Sequence, residues 1–264
     1  MSDGNGLAVI TGASSGIGLE LARQFADHGF DLIVAAEDEE LTAAAGSLDG
    51  ADVEVEAVRV DLATPGGVER LYERIQASGR PVDALALNAG IGSGGAFTET
   101  DLADELKLVD LNVRSVVHLA KLVIRDMVDR GEGRVLITSS IASTMPGSFQ
   151  AVYNASKSFD QSFALALRNE LKDTGVTVTS LMPGPTDTEF FERADMLDTR
   201  VGTGHKDDPA DVARDGFEAL MAGGERVVSA SLSTKAQARA GRLMPDSAKA
   251  QMHRRMAEPG SGKG

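Results

Sequence analysis

Short apolar runs alternate with longer amphipathic stretches along most of this chain, and the alternation limits the fold more than any other feature. Amphipathic stretches of helical period separate runs that have the length and the residue types of β-strands. The runs occupy residues 7–11, 31–36, 53–60, 84–88, 134–138 and 177–182. Strands that alternate with helices form a parallel sheet covered on both faces. The sequence therefore predicts an α/β fold with a doubly wound parallel sheet in a single domain.

Composition excludes several classes of protein. The formal net charge of −14 repels a phosphate backbone, so we expect no nucleic-acid partner. The absence of cysteine excludes disulfides, thiolate metal ligands and cysteine nucleophiles, and we expect no metal site. The helical pattern over 113–127 is interrupted by Arg114, Lys121 and Arg125, which argues against a membrane span. Residues 1–6 lack the basic region of a signal peptide, so we expect a cytoplasmic protein.

The end of the chain differs from the rest in charge. Residues 235–264 contain seven lysines and arginines against two acidic residues, which leaves this part near +5 and the remainder near −19. We therefore separate a folded domain, 1–234, from a basic C-terminal extension, 235–264. Two interpretations stay open: the extension docks on an acidic surface of the domain or of a neighbouring subunit, or it forms a solvated helix with a disordered end.

A glycine turn joins the first strand to the first helix. Gly12, Gly16 and Gly18 follow the strand at once, and an amphipathic stretch then continues to His28. Glycine lets a backbone approach a ligand closely, and the free N–H groups at a helix start attract a pyrophosphate. The order Gly-x-x-x-Gly-x-Gly differs from the Gly-x-Gly-x-x-Gly of the common dinucleotide fingerprint.

The same turn also matches Gly-x-Ser-x-Gly, the elbow that presents a nucleophilic serine in hydrolases. Ser14 would then be the nucleophile, with His205 or His253 as its base. An elbow at residue 14 has no preceding strand and loop in this sequence to supply the second oxyanion N–H. The serine-hydrolase interpretation is therefore the weaker alternative.

Tyr153 and Lys157 are suited to proton chemistry. The apolar spacing over 150–172 predicts a helix, which places residues four apart on one face. An adjacent ammonium favours the phenolate, and lowering the tyrosine pKa from about 10 by roughly two to three units would make it an acid or base near neutral pH. Asn112 lies within a helical stretch predicted over 101–129, where its amide either bonds backbone or holds a water.

Taken together, these motifs resemble the short-chain dehydrogenase/reductase family, in its common Tyr-x-x-x-Lys branch. Motifs in the family's order and spacing cover about residues 7–230: the turn at 11–18, Asp61, Asn88-Ala89-Gly90, Asn112, Ser140, Tyr153 with Lys157, and Pro183-Gly184 with Thr188. The resemblance implies a Rossmann-like fold and a dinucleotide-binding, catalytic domain over 1–234. It also implies an NAD(P)-dependent oxidoreductase that interconverts a secondary alcohol and a ketone.

The resemblance assigns a role to each motif residue. Tyr153 would be the general acid/base, and Ser140 would hydrogen-bond the carbonyl oxygen. Lys157 would lower the tyrosine pKa and bond the nicotinamide ribose, while Asn112 would hold a water that connects Lys157 to solvent. Besides Tyr153 and Lys157, the implied cofactor-binding residues are Gly12, Ser14, Ser15, Ile17, Gly18, Glu37, Asp61, Leu62, Asn88, Ala89, Gly90, Pro183, Gly184, Thr186 and Thr188.

The residues after the second strand favour NAD(H), with NADP(H) as the alternative. An acidic run, 37–40, follows Ala36, and an acid at this distance from the glycine turn suits a free ribose 2′-hydroxyl. The arginine common in NADP-using relatives is missing from this run, and the turn has Ser15 where an arginine could stand. A second functional alternative is a sensor that binds NAD(H) without turnover, although such a protein would not need the Asn112, Ser140, Tyr153 and Lys157 set.

Substrate and assembly follow less directly. The segments expected to border the substrate, 91–97, 141–149 and 185–197, contribute Ile91, Phe97, Ile141, Met145, Phe149, Phe190, Phe191 and Met196. These residues suggest a small hydrophobic ketone or alcohol, or else the packing of a covering loop. The resemblance further implies a homodimer or homotetramer that assembles through the helices predicted at 101–129 and 150–172.

Overall fold

A computed structural model describes residues 5–48, 53–229 and 244–262, and its centre is a parallel sheet. The strands pair in the order β3-β2-β1-β4-β5-β6-β7, and every pairing is parallel. They are β1 Leu7–Thr11, β2 Asp31–Ala36, β3 Val55–Arg59, β4 Ala84–Leu87, β5 Gly133–Thr138, β6 Val176–Pro183 and β7 Arg226–Ser229. The order reverses between β1 and β4, which opens a crevice at the carboxyl ends of the strands, where open α/β sheets bind ligands.

Helices cover both faces of this sheet. They are α1 Gly16–Asp27, α2 Glu40–Leu48, α3 Pro65–Ala77, α4 Leu102–Val109, α5 Ser115–Arg130, α6 Ala151–Glu170, α7 Phe190–Arg193, α8 Arg200–Thr203, α9 Pro209–Met221 and α10 Asp246–Ala257. One core joins Ile10 of the sheet to Phe25 of α1 and Phe217 of α9. The other joins Val9, the next residue on β1, to Leu71 of α3 and Leu119 of α5. Successive strand residues point to opposite faces, so the predicted doubly wound, Rossmann-like fold is confirmed.

The element boundaries depart from the sequence prediction in three places. β3 is shorter than the predicted 53–60, and β7 was not predicted because its run is only four residues long and partly exposed. The stretch 101–129 is not uniformly helical: a π-helical turn over Asp110–Arg114 separates α4 from α5 and contains Asn112. Such turns occur often at functional sites. Thr64 is the N-cap of α3, since its side chain accepts a bond from Gly67 N at 3.1 Å.

Hydrogen bonds fix the carboxyl ends of the three central strands to one another. Thr11 Oγ1 accepts bonds from the backbone nitrogens of Asn88 at 3.0 Å and Ala89 at 3.1 Å. The Asn88 side-chain amide donates to the Thr11 carbonyl at 3.3 Å, and its oxygen accepts from Thr138 Oγ1 at 3.1 Å. These bonds join β1, β4 and β5, so the floor of the crevice is held in one arrangement.

The described part of the basic extension, residues 244–262, packs on the body of the protein, and the expectation of a solvated helix is wrong for α10. α10 buries Ala257 in a cluster with Phe191 and Met196. The buried His253 ring donates from Nδ1 to the Ser148 carbonyl at 2.9 Å. These contacts of α10 are apolar and backbone contacts rather than contacts with acidic side chains of the body. The Arg254 guanidinium, for example, lies 5.2 Å from the centre of the Phe149 ring.

The segment after α10 is also held. Gly260 N donates to the Asp198 carboxylate at 2.7 Å, and Gly262 N donates to the Asp198 carbonyl at 2.8 Å. The expected disordered end does not begin at Gly260, because these bonds anchor residues 260–262. The proposed boundary between 234 and 235 falls within 230–243, outside the described residues.

Candidate active site

One cleft at the carboxyl ends of the strands brings the predicted site residues together. It encloses a cavity of about 350 Å³. Every predicted cofactor-binding residue lines it, and so does Ser140. Asn112 does not line the cleft, because it is fully buried behind the wall. Glycines and polar residues line the end of the cleft near β1 and β2. Apolar residues line the end near α7 and α10.

The glycine turn at the polar end needs its glycines. Gly12 has a φ of +68°, a left-handed conformation that residues with a Cβ rarely adopt. A Cβ on Gly18 would lie 1.8 Å from the Gly12 carbonyl oxygen, and a Cβ on Gly16 would lie 2.8 Å from Thr188 Cγ2. The backbone is thus exposed to the cleft at the start of α1, where N–H groups favour an anion. This arrangement fits the pyrophosphate of a dinucleotide.

Two acidic residues after β2 face different surroundings. The Glu37 carboxylate pairs with Lys107 at 3.2 Å, and both side chains are exposed. Asp38 Oδ2 accepts a bond from Ser14 Oγ at 2.9 Å. The other oxygen, Asp38 Oδ1, is buried and has no bonding partner among the described residues. Sequence reasoning chose Glu37, but Asp38 is the residue whose carboxylate has unused hydrogen-bonding capacity in the cleft.

Lys157 has partners that the sequence analysis did not name. Its Nζ donates to the Thr138 carbonyl at 2.9 Å and to Asp160 Oδ2 at 3.0 Å. A Cβ on Gly90 would lie 3.3 Å from the same Nζ, so the ammonium also borders the turn after β4. Asp160 lies three residues beyond Lys157 and seven beyond Tyr153, on the same helix face. That spacing was the available signal for Asp160.

The pKa of Tyr153 is raised above its ordinary value. Burial of the phenol is the largest cause, and the nearby Asp160 carboxylate adds to it. The charge of Lys157 and hydrogen bonding with Ser140 act in the opposite direction. Lys157 therefore has the predicted effect, but the expected net lowering is wrong for the protein alone because burial outweighs the ammonium.

The remaining predicted catalytic residues are held by local bonds. Ser140 Oγ accepts from Ala142 N at 3.1 Å, which caps a short 3₁₀ turn, whereas Ser139 Oγ donates to the Lys157 carbonyl at 2.8 Å. Asn112 Nδ2 donates to the Ile91 carbonyl at 2.9 Å, and its Oδ1 accepts from Ile91 N at 3.0 Å. Its amide therefore bonds backbone, the first of the two predicted uses, and also donates to Ser156 Oγ at 3.1 Å.

The apolar end of the cleft confirms part of the predicted border. Ile91, Ile141, Met145, Phe190 and Phe191 line it, and the Phe190 ring lies 5.1 Å from the Tyr153 ring between centroids. The other candidates do not: Phe97 is exposed, and Phe149 and Met196 pack in the cluster beneath α7. Three residues of α10 complete the wall, and these were missed: Met252, His253 and Met256. The signal for this wall in the sequence was the spacing of Met252 and Met256, which are four residues apart in a segment predicted as helical.

A family model for the short chain dehydrogenases matches residues 6–196 of this chain. The chain belongs to that family. Sulfoacetaldehyde reductase 2 of Chromohalobacter salexigens is 35% identical over 193 residues, which is 72% of this chain and 75% of that protein. This short-chain dehydrogenase is also similar in structure to one from Sphingobium yanoikuyae in complex with NADPH, with a TM-score of 0.80, 28% identity and coverage of 89% and 92% of the two chains.

A second solved structure extends the similarity to the other nicotinamide cofactor. A short-chain dehydrogenase/reductase from Burkholderia phymatum in complex with NAD has a TM-score of 0.80 and 26% identity, and the match covers 90% of this chain and 93% of that one. The chain is therefore an oxidoreductase of this family, an enzyme class that acts on CH–OH and C=O groups, with a nicotinamide dinucleotide as cofactor. No helix within the described residues is long and apolar enough to cross a membrane.

Family membership removes the hydrolase interpretation. The Ser14 hydroxyl donates to Asp38, and the His253 ring bonds Ser148, so neither candidate is part of a serine–histidine pair. His205 lies near the isolated bridge between Thr186 and Asp207, and no hydrogen bond joins it to Ser14 in the part of the chain that the structure describes. The non-catalytic sensor is likewise set aside, because the chain is an enzyme.

Proposed function

We propose that this enzyme interconverts a secondary alcohol and a ketone with Tyr153 as the general acid/base. The observation that carries the proposal is the convergence of Tyr153, Lys157 and Ser140 on one wall of a cleft whose other end is the glycine turn. The residues of the polar end would hold a nicotinamide dinucleotide, which when bound would supply or accept the hydride. The chain supplies the proton, the binding surface and the orientation of the reacting carbon.

In the direction of reduction, the Tyr153 hydroxyl gives its proton to the carbonyl oxygen. The Ser140 hydroxyl hydrogen-bonds the same oxygen and so orients the substrate. The Lys157 ammonium stabilises the phenolate that remains, and it bonds the ribose next to the nicotinamide. Since the Asn112 amide is already bonded to Ile91 and Ser156, a water between Lys157 and solvent would use the Asn112 main-chain carbonyl in the π-helical turn.

We infer that NAD(H) is the preferred cofactor and that Asp38 is the acid responsible. The unpartnered Asp38 Oδ1 can accept a bond from the 2′-hydroxyl of the adenosine ribose, whereas a 2′-phosphate would meet its negative charge. Ser14 holds the carboxylate in place. The other residues proposed to contact the dinucleotide are those that line the polar end of the cleft, from Gly12 to Gly18, at Asp61 and Leu62, from Asn88 to Gly90, and from Pro183 to Thr188.

The substrate that fits the apolar end is a small hydrophobic carbonyl compound or alcohol. Beyond the Tyr153 phenol, most of the wall consists of apolar side chains from four segments, and these include Ile91, Ile141 with Met145, Phe190 with Phe191, and Met252 with Met256. Such a surface binds by removing apolar area from water and has few groups to pair with a charged substrate. The Glu189 and Arg193 side chains at its border pair with each other at 2.6 Å.

We also propose that the enzyme is a homodimer or homotetramer assembled through α4, α5 and α6. Leu102, Leu106 and Val109 lie on one face of α4, and all are exposed. Val117 of α5 and Phe159 of α6 are exposed as well. An apolar stripe of this length on surface helices is typical of a protein–protein contact.

The substitution Tyr153→Phe tests the reaction. It removes one hydroxyl, so turnover of a panel of hydrophobic ketones should fall by about 10²- to 10⁴-fold while calorimetry shows unchanged NADH binding. Tyr72→Phe is the matched control: Tyr72 lies on α3, bonds Asp126 and does not line the cleft. Equal turnover in Tyr153→Phe and the wild type would show that the phenol is not the acid/base.

A further inference from the structure

Asp160 forms a buried ion pair with the proposed catalytic lysine. The exposed fraction of the side chain is 0% for Asp160 and 6% for Lys157, and the Nζ–Oδ2 distance is 3.0 Å. Oδ1 of Asp160 is buried and has no bonding partner among the described residues. Burying a carboxylate with one oxygen unpaired is costly, and burial raises the pKa of Asp160 against the effect of Lys157. An environment so unfavourable for a carboxylate indicates that Asp160 has a role other than packing.

The charge of Asp160 acts on Tyr153 through Lys157. The proposed catalytic phenol lies on the same face of α6 as both members of the pair, with Lys157 four residues away and Asp160 seven away. The ammonium stabilises a phenolate, and the carboxylate destabilises it. An ion pair placed near the phenol therefore favours the phenolate less than an unpaired ammonium would.

The other charged groups near the phenol are few. His253 of α10 lines the same cleft, and burial lowers its pKa, so the ring is neutral at neutral pH. Glu189, which precedes α7, and Arg193, the last residue of α7, form an ion pair with each other. The remaining charged side chains of the cleft lie at its dinucleotide end, and they are Glu37, Asp38 and Asp61.

We propose that Asp160 is a positioning residue for the reaction: its carboxylate holds the Lys157 ammonium against the Thr138 carbonyl and offsets its charge, so that Tyr153 stays protonated as the acid for carbonyl reduction. The proposal rests on the proposed function of Tyr153 and Lys157. It concerns the balance between the two directions, since reduction begins from the phenol and oxidation begins from the phenolate.

The composition of the chain permits a test that does not depend on turnover. The sequence has two tyrosines and no tryptophan, so Tyr72→Phe leaves Tyr153 as the single phenol. The ultraviolet band of tyrosinate then reports the ionisation of Tyr153 alone as pH is raised. In the Tyr72→Phe background, Asp160→Asn should move the midpoint of this titration down by about one pH unit or more, because the ammonium is no longer offset.

Three further variants make the result specific. Asp160→Glu keeps the charge and should restore the midpoint of the background protein. Asp31→Asn is the control for removing a buried carboxylate, because Asp31 pairs with Arg80 at 2.7 Å. Asp31 is the first residue of β2, whereas the cleft lies at the carboxyl ends of the strands, so this variant should leave the midpoint unchanged. Asp160→Ser replaces Asp160→Asn if the latter does not fold, and its smaller side chain leaves space for water at the ammonium.

Each outcome decides the proposal. A midpoint that is unchanged in folded Asp160→Asn or Asp160→Ser would overturn it and leave Asp160 as a structural ion pair. A lowered midpoint supports it, and the pH at which alcohol oxidation rises should then move by the same amount. Failure of the proposed function is distinguishable from failure of this proposal. If the wild type turns over no substrate, the tyrosinate titration still measures whether replacing Asp160 shifts the midpoint.

Discussion

At the scale of single residues, two buried carboxylate oxygens in and behind the site are left unpaired by the protein. Buried carboxylate oxygens normally have hydrogen-bonding partners. Asp38 Oδ1 at one end of the cleft and Asp160 Oδ1 behind the other have none among the described residues. Asp38 lines the cleft, and we propose the adenosine ribose of the cofactor as the missing partner of this oxygen.

The residue-scale prediction concerns this acid. Asp38→Asn replaces a charged acceptor with a neutral one, so NADH binding should weaken by about ten- to a hundredfold while NADPH binding weakens less or improves. Calorimetric titration of both cofactors measures the two effects. Glu39→Gln is the control, because Glu39 is exposed and pairs with Arg59.

The competing assignment is tested in the same experiment. Glu37→Gln should have the smaller effect, since the Glu37 carboxylate already pairs with Lys107. If Glu37→Gln abolishes the preference for NADH and Asp38→Asn does not, then Glu37 is the acid that the ribose meets, as the sequence suggested.

At the scale of elements, α10 turns a basic tail into a wall of the cleft. The helix is anchored by the buried His253, by the apolar contacts of Ala257 and by the bonds from Gly260 and Gly262 to Asp198. Its inward face presents Met252 and Met256, flexible apolar side chains that adapt to the shape of a ligand. We therefore expect α10 to contribute to substrate selection, although its charge suggested a surface role.

The element-scale prediction follows from these two methionines. The double variant Met252→Ala with Met256→Ala removes apolar contacts from the substrate end, so KM for a ketone substrate should rise about tenfold while the Kd for NADH is unchanged. Steady-state kinetics across ketones of increasing size provides the measurement, and bulkier ketones should lose less. Arg255→Ala on the exposed side of the same helix is the control.

The opposite result is informative. An unchanged KM in the double variant, with the fold intact by circular dichroism, would mean that α10 covers the cleft without touching the substrate.

At the scale of the whole molecule, one surface is left apolar by the fold. Leu102, Leu106 and Val109 form an exposed stripe on α4, Phe159 of α6 is exposed as well, and none of these side chains joins the two cores of the sheet. Covering the stripe with a second copy of the chain would bury this area. The number of subunits then depends on how many such surfaces the chain presents.

The prediction at this scale is that light scattering at micromolar concentration gives the mass of a dimer or tetramer. Leu106→Glu should reduce that mass, because a charge in an apolar contact is not solvated. Leu197→Glu is a matched control: Leu106 and Leu197 are each 55% exposed, but Leu197 lies after α7, away from the stripe. A monomer in the wild type would contradict the assembly.

The sequence by itself determined the order of strands and helices, the glycine turn and the Tyr153–Lys157 spacing. Each is a local pattern: apolar periodicity, the conformational freedom of glycine, and the 3.6-residue repeat of a helix. The four-residue β7 and the π-helical turn around Asn112 escaped prediction because the first is a weak pattern and the second does not interrupt the apolar face of 101–129.

Only the tertiary structure decided which of two neighbouring acids keeps an unpaired carboxylate oxygen, what Lys157 bonds, and where α10 lies. Asp38 and Glu37 are adjacent in sequence, but one meets Ser14 and the other Lys107, residues 24 and 70 positions away. The pKa of Tyr153 has the same origin, because burial is a property of everything packed around the phenol. Local patterns place residues on elements, whereas long-range packing sets the partners, the burial and therefore the chemistry of each side chain.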